Sequence, residues 1–372
     1  MTRLKLGMVG GGQGAFIGGV HRIAARIDGR FDLVAGAFAS DAARAHASAA
    51  ELGVAPDRSY ADFREMAKAE AAREDGIDAV SIVTPNHLHG PIAEAFLAAG
   101  IHVICDKPMT ATLEQANALI KAAEGSNASF FLTHNYTGYP MIRQARQMVA
   151  NGDLGDIRIV QAQYLQDWLS EPADPDNKQA TWRTDPAQAG GGAIGDIGTH
   201  AYNLAGFVTG LKTKVLSATL SSVVAGRSVD DDARVSLQYE GGATGHIWVS
   251  QVAIGNENNL TLAVYGAKAS LYWEQENPNV LRFTKLGEAP QLITRGSGAA
   301  HPAAEAVTRI PAGHPEGYLE AFATLYHEAA DAISGSAEAH SAVLGLKDGL
   351  EGVKFVDACQ RSSTESSSWV TL

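Results

Sequence analysis

Short apolar runs alternate with helical stretches over the first 133 residues of the chain. Five runs are rich in apolar and β-branched residues and have the length of strands, at 4–9, 31–39, 78–83, 101–105 and 129–133. Alanine-rich or amphipathic segments separate these runs. Strands that alternate with helices are typical of βαβ units, which build a parallel sheet with helices on both faces. The pattern predicts an α/β, doubly wound parallel sheet at the N-terminus, in a domain spanning residues 1–134.

The pattern changes after Tyr136. We predict helices at 139–151 and 196–208, a long strand at 156–168 and loops at 170–188 and 286–313. Polar and apolar residues alternate from 214 to 285, and two helices follow, near 315–333 and 341–360. Alternation of this kind is typical of an antiparallel sheet with one wet face. Residues 135–372 are therefore predicted to form an α+β domain with a large, mostly antiparallel open sheet. Its exposed face predicts a homodimer or homotetramer.

Composition narrows the possible partners. The 372 residues carry 29 basic and 41 acidic side chains, for a net charge of −12. Nucleic acids and anionic membranes favour basic faces, so we expect neither as a partner and favour a neutral small molecule. The two cysteines, Cys105 and Cys359, do not make a disulfide framework, and the chain begins without an apolar leader. We expect a cytoplasmic protein.

A glycine-rich turn lies between the first predicted strand and the helix that follows. Candidate cofactor-binding residues in this turn are Gly10, Gly12, Gln13, Gly14, Ala15 and Phe16. In a strand–turn–helix context, such glycines allow a tight turn and a close approach to a pyrophosphate at the helix N-terminus. Either Ala15 or Gly18 can be the third small residue of the motif. The turn predicts a nicotinamide dinucleotide cofactor.

The second predicted strand ends near Ser40 and Asp41, where such domains read the adenine-side ribose. A carboxylate at Asp41 favours a free 2′-hydroxyl and disfavours a 2′-phosphate. Ser40 is the alternative occupant of this position, and Arg44 is near enough in sequence to meet a phosphate. The sequence favours NAD as the cofactor and leaves NADP open.

Three more motifs follow predicted strands. They contain the candidate cofactor-binding residues Thr84, Pro85, Asn86, His89, Asp106, Lys107 and Asn135. The carboxyl ends of parallel strands lie at one edge of a sheet, so we expect these side chains to lie near one another. The histidines in and around these motifs do not have zinc-ligand spacing, and no metal site is predicted.

These motifs, together with the segment from Gly190 to His200, resemble the Gfo/Idh/MocA oxidoreductase family. The matching pieces are the Gly10 turn, Thr84-Pro-Asn-x-x-His89, Asp106-Lys-Pro108 and Gly190-Gly-Gly-Ala-Ile-Gly-Asp196-Ile-Gly-Thr-His200. The resemblance covers nearly the whole chain and implies a Rossmann domain. It also implies an NAD-dependent dehydrogenase that acts on a sugar, cyclic polyol or anhydrosugar. Segments near Tyr136 and Trp168 are most similar to the levoglucosan dehydrogenase branch. The family more often has Glu at the position of Asp106.

Asp196 and His200 are four residues apart at the start of a predicted helix, so both project from one face. A carboxylate there is favoured by the helix dipole and can orient the imidazole, which makes His200 a candidate general base. The resemblance implies that Lys107 hydrogen-bonds the reacting hydroxyl. By the same resemblance, His200, assisted by Lys107, takes the alcohol proton while a hydride passes to the cofactor. The predicted catalytic residues are Lys107, Asp196 and His200.

Further contacts follow from the same resemblance. Asn135 and Tyr136 are predicted near the junction of nicotinamide and substrate, and Trp182 and Arg183 near cofactor or substrate. Trp168 is either a stacking wall for the apolar face of a sugar or an ordinary packing residue. The full set of predicted substrate residues is Lys107, Tyr136, Trp168, Arg183, Asp196 and His200.

Two other functions remain open from sequence. The family includes regulators that keep the fold as a non-catalytic cofactor- and sugar-binding module. It also includes sugar–sugar oxidoreductases that retain a tightly bound cofactor. Lys107, Asp196 and His200 together favour the dehydrogenase.

Overall fold

The computed structural model describes residues 3–172, 178–335 and 343–372. The chain forms two compact units. The first comprises Met1–Asn135 with Phe322–Glu351, and the second comprises Tyr136–Ala321 with Gly352–Leu372. The first unit therefore includes a segment that the sequence-based boundary at residue 134 places in the second domain.

The first unit contains a five-stranded sheet in the order β2-β1-β3-β4-β5, with all strands parallel. Its strands and helices in chain order are β1 Leu4–Gly10, α1 Phe16–Ile27, β2 Phe31–Ala37, α2 Ala42–Glu51, α3 Phe63–Ala71, β3 Ala79–Val83, α4 His89–Ala98, β4 His102–Asp106, α5 Leu113–Ala123 and β5 Phe130–Thr133. Every residue of β3 is buried, as expected of a strand covered on both faces. The predicted doubly wound parallel sheet is confirmed.

The returning segment completes the core of this unit. It contains most of helix α11 (Tyr318–Ile333) and the start of helix α12 (Leu346–Thr364). The Tyr326 ring lies edge-on to that of Phe31, with centroids 5.6 Å apart. Leu132 N, in strand β5, donates to Leu344 O at 3.0 Å. The sequence pattern of α11 predicts a helix, but it does not show which core the helix completes.

The second unit contains a nine-stranded sheet in the order β13-β12-β11-β10-β6-β9-β8-β7-β14. Its strands are β6 Ile157–Leu165, β7 Thr213–Ser221, β8 Asp232–Tyr239, β9 Thr244–Ser250, β10 Asn259–Gly266, β11 Ala269–Glu274, β12 Val280–Lys285, β13 Gln291–Thr294 and β14 Val370–Thr371. Among the described strands of this sheet, only β6 and β9 pair in parallel. The predicted mostly antiparallel sheet is confirmed.

One face of this sheet is buried and the other is exposed. Val160 and Ala162 of β6 and Ile247 of β9 point into the core, whereas Ile159 and Trp248 on the same strands are exposed. The helices of this unit, besides the parts of α11 and α12 assigned to it, are α6 Pro140–Ala150, α7 Lys178–Arg183, α8 Pro186–Ala189, α9 Thr199–Thr209 and α10 Pro302–Glu305. The alternation along each strand thus produces one core face, as the sequence predicts.

Three predicted elements differ in the structure. The loop at 170–188 contains two short helices, α7 and α8, and its residues 173–177 lie outside the described part of the chain. The loop at 286–313 contains β13, which joins the sheet edge by pairing with β12, and the short helix α10. The strand predicted to end at Trp168 ends at Leu165. Local polarity indicates loops at 170–188 and 286–313, but long-range pairing and short helical turns override it there.

None of the helices in the described ranges has both the length and the apolar character that a bilayer crossing requires.

Candidate active site

The turn after β1 holds glycines in the left-handed region that other residues rarely adopt. The φ angles are 80° at Gly10, 71° at Gly11 and 79° at Gly14. A Cβ at Gly18 would lie 2.3 Å from Gly11 Cα and 2.8 Å from Gly11 O. Gly18, rather than Ala15, is therefore the small residue at which helix α1 packs closely against the turn.

The other predicted cofactor residues of this turn surround the N-terminus of α1. Ala15 immediately precedes the helix, and its N–H donates to Gly12 O at 3.0 Å. Gln13 N donates to Ser48 Oγ at 3.2 Å, and the Phe16 side chain is exposed. The first turn of α1 contains no acidic residue, so its own side chains do not neutralise the positive end of the helix dipole. This arrangement is suited to a phosphate group.

Asp41 caps the helix after β2. Its Oδ1 accepts from Arg44 N at 2.9 Å, which makes Asp41 the N-cap of α2. Ser40 immediately precedes it. The cap holds an exposed carboxylate just beyond the carboxyl end of β2, where the sequence predicts contact with a ribose.

His89 ties two of the strand-end motifs together. Its Nδ1 lies 2.7 Å from Pro108 O and its Nε2 lies 2.9 Å from Thr84 O. Burial lowers the pKa of His89. Because Pro108 directly follows Lys107, the buried ring holds the turn that carries Lys107 beside the end of β3. Pro85 and Asn86 continue the turn after β3.

Asp106 is ionised in a buried polar cluster. Its Oδ1 accepts from Thr133 Oγ1 at 3.1 Å and lies 3.5 Å from His21 Nε2. Burial disfavours the charged carboxylate, but His21, followed by Lys107, outweighs that effect and holds the pKa of Asp106 well below its usual range. His21 Nδ1 in turn lies 2.8 Å from the Tyr326 hydroxyl. The Asp106 carboxylate is thus held from inside the core.

We predict that buried His134 makes the folded protein less stable in mild acid. Burial, followed by the nearby Lys107, lowers the pKa of His134 to about 3, against the opposing charge of Asp106. The unfolded chain takes up this proton near pH 6.5, so the stabilisation is present above that pH and is lost as the pH falls towards 3. We expect His134 alone to lower the free energy of unfolding by about 2 kcal/mol between pH 7 and pH 5.

Urea unfolding at the two pH values tests this expectation. His134→Gln should have a pH dependence smaller by about that amount. An equal pH dependence in the wild type and this variant would show that His134 is not the group responsible.

Two buried polar atoms at this edge of the sheet fit a bound ligand. Thr84 Oγ1 and Asn135 Nδ2 have no hydrogen-bond partner among the residues that the structure describes. Leaving such a group unsatisfied costs roughly 1–3 kcal/mol. The hydroxyl and carboxamide groups of a nicotinamide nucleotide are suitable partners, and the glycine turn is suited to its pyrophosphate. The residues of the first unit therefore fit this cofactor.

In the second unit, His200 is the second residue of helix α9, and its ring lies among aromatic rings. Its ring centroid lies 4.8 Å from that of Tyr136, edge-on, and 6.2 Å from that of Tyr164. The hydroxyls of Tyr136 and Tyr164 are 2.5 Å apart, and Tyr164 donates to Asn258 Oδ1 at 2.7 Å. A carboxamide oxygen only accepts, so Tyr164 uses its one hydroxyl proton on Asn258 and must accept the hydrogen bond that Tyr136 donates. This series of hydrogen bonds orients the Tyr136 hydroxyl beside His200.

Asp196 lies in a π-helical turn, Ile194–Gly198, immediately before α9. The sequence predicts one regular helix here, but a π turn interrupts its start. Asp196 Oδ2 accepts from Arg183 Nε at 3.1 Å and from Gln251 Nε2 at 2.9 Å. Such turns are frequent at functional sites. The structure thus brings together the predicted residues Arg183 and Asp196.

The glycines before this turn pack against Asp230. A Cβ at Gly192 would lie 1.8 Å from Asp230 O. The Asp230 carboxylate accepts from Gly192 N at 2.9 Å and from Ile194 N at 2.7 Å. Gln360 Nε2 donates to Gly190 O at 2.9 Å. Gly192 is therefore needed for close approach of the protein backbone.

Trp168 is held in one orientation by hydrogen bonds. Its Nε1 donates to Gln166 Oε1 at 3.0 Å, and Gln166 Nε2 donates to Asn258 Oδ1 at 2.8 Å. The Arg183 guanidinium carbon lies 5.8 Å from the centre of the Trp168 ring and 4.3 Å from that of Trp182. The indole of Trp168 is 40% exposed, so it presents a fixed apolar surface.

Two family models match the chain. Residues 4–134 match the oxidoreductase family model with an NAD-binding Rossmann fold, and residues 142–272 match the GFO/IDH/MocA C-terminal domain. An uncharacterised oxidoreductase of Bacillus subtilis is 35% identical, over 99% of this chain and 96% of its own length. The chain belongs to the Gfo/Idh/MocA oxidoreductase family. The first unit of this Gfo/Idh/MocA protein is an NAD-binding Rossmann domain.

Characterised members of the Gfo/Idh/MocA family align over the full length. The levoglucosan dehydrogenase of Pseudarthrobacter phenanthrenivorans is 29% identical, over 100% of this chain and 99% of its own. An inositol dehydrogenase homologue from Azotobacter vinelandii, solved with NADH and myo-inositol, is 39% identical with a TM-score of 0.93, and the match covers 100% of this chain and 98% of that one. The predicted resemblance to the family is confirmed.

Several supporting residues of this Gfo/Idh/MocA protein escape sequence reasoning. They are His21, Asp230, Gln251, Tyr326 and Gln360. None belongs to a motif, and each contacts a residue at least 55 positions away except Asp230, whose partners are 36 and 38 positions away. For Gln251, the sequence does contain one local feature: the polar pair Ser250-Gln251 ends the alternation of β9.

Proposed function

We propose that this protein is an NAD-dependent dehydrogenase that oxidises a secondary hydroxyl of a neutral sugar, cyclic polyol or anhydrosugar. Lys107, Asp196 and His200 are its proposed catalytic residues. Bound NAD supplies the acceptor for the hydride. His200 accepts the proton of the alcohol, and Lys107 hydrogen-bonds the same hydroxyl oxygen. In the reverse direction the two side chains act as acids.

The observation that carries the proposal is the arrangement around Asp196 and His200. His200 is nearly buried, and the turn that immediately precedes its helix carries a carboxylate whose Oδ2 accepts two hydrogen bonds. A fixed carboxylate near an imidazole stabilises the imidazolium that forms when the ring takes a proton. Lys107 lies in a turn held by the buried ring of His89. Both groups are therefore supported by neighbours with fixed positions.

The charge of Arg183 favours a neutral substrate. Its Nε lies 3.1 Å from Asp196 Oδ2, so its positive charge is already matched. An anionic sugar acid or sugar phosphate would have to compete with that carboxylate. The fixed indole of Trp168 supports a substrate with an apolar ring face, because such faces stack on aromatic rings. The levoglucosan- and inositol-acting relatives fit this substrate class.

A substrate panel tests the proposal. Purified protein is assayed with NAD and with NADP against inositols, aldoses, anhydrosugars and the matching sugar phosphates. Reduction of the cofactor is followed at 340 nm. We expect turnover with NAD on at least one neutral compound and much weaker turnover on its phosphate. Cofactor binding without reduction of the cofactor by any compound would favour the non-catalytic regulator. Nicotinamide retained through purification, with turnover only on addition of a second sugar, would favour the sugar–sugar oxidoreductase.

We also propose that a second copy of the chain covers the exposed face of the nine-stranded sheet. This face carries the side chains of Ile159, Trp248 and Tyr265, all exposed. Arg234 extends over Trp248, with its guanidinium carbon 5.9 Å from the ring centre. Exposed aromatic and arginine side chains of this kind are enriched at protein interfaces.

Light scattering tests the second copy. Trp248→Glu places a charge in the middle of the face and should give a smaller species than the wild type. Leu286→Glu is the matched control, since Leu286 is 85% exposed and lies in the turn between β12 and β13. Equal masses for the wild type and Trp248→Glu would argue against this interface.

A further inference from the structure

The side chain of Gln251 contacts Asp196, and the main chain of Gln251 is held by hydrogen bonds. It directly follows β9, and its side chain is nearly buried, with 3% of the residue exposed. Gln251 N donates to Asp231 O at 2.9 Å, and Gln251 O accepts from Leu169 N at 3.1 Å. Both main-chain polar groups of Gln251 are therefore satisfied by neighbouring segments, which leaves the carboxamide directed by a fixed main chain.

The chemistry of the contact determines how the amide is oriented. An ionised carboxylate only accepts hydrogen bonds, so the nitrogen of Gln251, at 2.9 Å, faces Asp196 Oδ2. Arg183 Nε donates to the same oxygen at 3.1 Å. The two donors approach from different segments, one charged and one neutral. Together they fix the rotation of the carboxylate.

A neutral donor at position 251 has a specific advantage. Arg183 already places one positive charge against Asp196, and a second cation would draw the carboxylate away from the imidazole of His200. An amide adds a hydrogen bond without adding charge. His200 lies one turn further along the chain, and Tyr164 is near enough for Asp196 to help burial and Tyr136 keep the pKa of Tyr164 well above its usual range. The contact with Gln251 therefore does not reduce the negative charge of Asp196 any further.

We propose that Gln251 is a positioning residue that holds the Asp196 carboxylate in place for its action on His200. The role rests on the proposed dehydrogenase function. No sequence motif includes Gln251, and it acts on the reaction only through Asp196.

The nearly isosteric variant Gln251→Glu tests this role. It places a second carboxylate against Asp196, and two like charges at hydrogen-bond distance share one proton. We expect kcat at pH 7 to fall between about 10-fold and 100-fold. The acid limb of the kcat profile should move to higher pH, and the dissociation constant for NAD should stay within about twofold of the wild-type value.

Gln144→Glu is the matched control. Gln144 is also nearly buried in the second unit, and its Oε1 accepts from His301 N. It therefore reports the general cost of a new buried carboxylate. We expect Gln144→Glu to keep the wild-type kcat and acid limb, even if it unfolds at a lower temperature. A wild-type kcat and an unmoved acid limb in Gln251→Glu would overturn the positioning role.

A second measurement separates this inference from the proposed function. The ring titration of His200 is followed by NMR in the wild type and in Gln251→Leu, which needs no turnover. We expect a lower midpoint in Gln251→Leu, because the imidazolium loses a fixed carboxylate. An identical midpoint would overturn the positioning role, whereas absence of wild-type turnover with a lowered midpoint would overturn only the dehydrogenase.

Discussion

Replacing His200 with alanine is expected to lower kcat between about 100-fold and 10,000-fold, the range typical of losing a general acid or base. The ring is the proposed proton acceptor, and the Tyr136 hydroxyl beside it is already committed to Tyr164. Binding of NAD should be nearly unchanged, because His200 belongs to the second unit and the glycine-rich turn to the first. Steady-state kinetics on the best neutral substrate and NAD titration by fluorescence measure the two effects.

His200→Asn and His314→Ala are the controls for this result. Asparagine fills much of the space of the imidazole but does not accept a proton at neutral pH, so it should be as inactive as alanine. The exposed His314 lies on a different segment, and its replacement should leave kcat unchanged. Full activity in His200→Ala would show that the proton acceptor is another group.

Lys107→Ala adds a test of whether both residues act on the same hydroxyl. The single variant should also lose at least about 100-fold in kcat. Groups that act as a unit are not additive, so the double variant of Lys107 and His200 should be little worse than the poorer single variant. Multiplying losses would indicate that the two side chains contribute to separate steps.

Gly18→Ala is expected to weaken NAD binding at least about 100-fold, equivalent to about 2.7 kcal/mol. The new methyl group would lie 2.3 Å from Gly11 Cα and 2.8 Å from Gly11 O. Those are backbone atoms of the glycine-rich turn, so the turn itself must move. Its N–H groups would then no longer converge on a pyrophosphate. Isothermal titration with NAD measures the change directly.

The neighbouring glycine provides the control. A methyl group at Gly19 meets only Arg22 Nη2, at 3.9 Å. Because alanine is favoured over glycine inside a helix, Gly19→Ala should raise the free energy of unfolding by roughly 0.5–1 kcal/mol. Its NAD affinity should match the wild type. Wild-type affinity in Gly18→Ala would mean that packing of α1 against the turn does not determine cofactor binding.

The sequence predicts the first sheet well because strands that are buried on both faces consist of nearly continuous apolar residues. Residues 79–83 form one apolar run apart from Ser81, and the predicted strand differs from the observed one by a single residue. The second sheet is predicted in type but not in strand order. Strand β6 lies between β10 and β9, and it pairs with β9 in parallel. An alternating pattern shows which face is buried but not which strand is the neighbour.

The candidate site likewise has residues that the sequence predicts and contacts that it does not. Lys107, Asp196 and His200 are found from motifs, because each lies at a strand end or helix start with a recognisable context. The π turn at Asp196 is not found, because Asp230, 36 positions from Ile194, holds its backbone. Gln251 is likewise 55 positions from its partner. A single sequence carries no local signal for a contact between two distant segments.

The segment Phe322–Glu351 has a consequence for synthesis of the chain. Domains generally fold as units, with the N-terminal one first, while the ribosome is still translating. Here the Rossmann unit starts first but is completed late, since Tyr326 and Leu344 emerge only after residues 136–321 of the second unit. Until then, the core face around Phe31 and the amide of Leu132 on the edge strand have no partner from this segment. The nascent chain must therefore carry an unfinished cofactor domain through most of translation, a period in which chaperones can bind it.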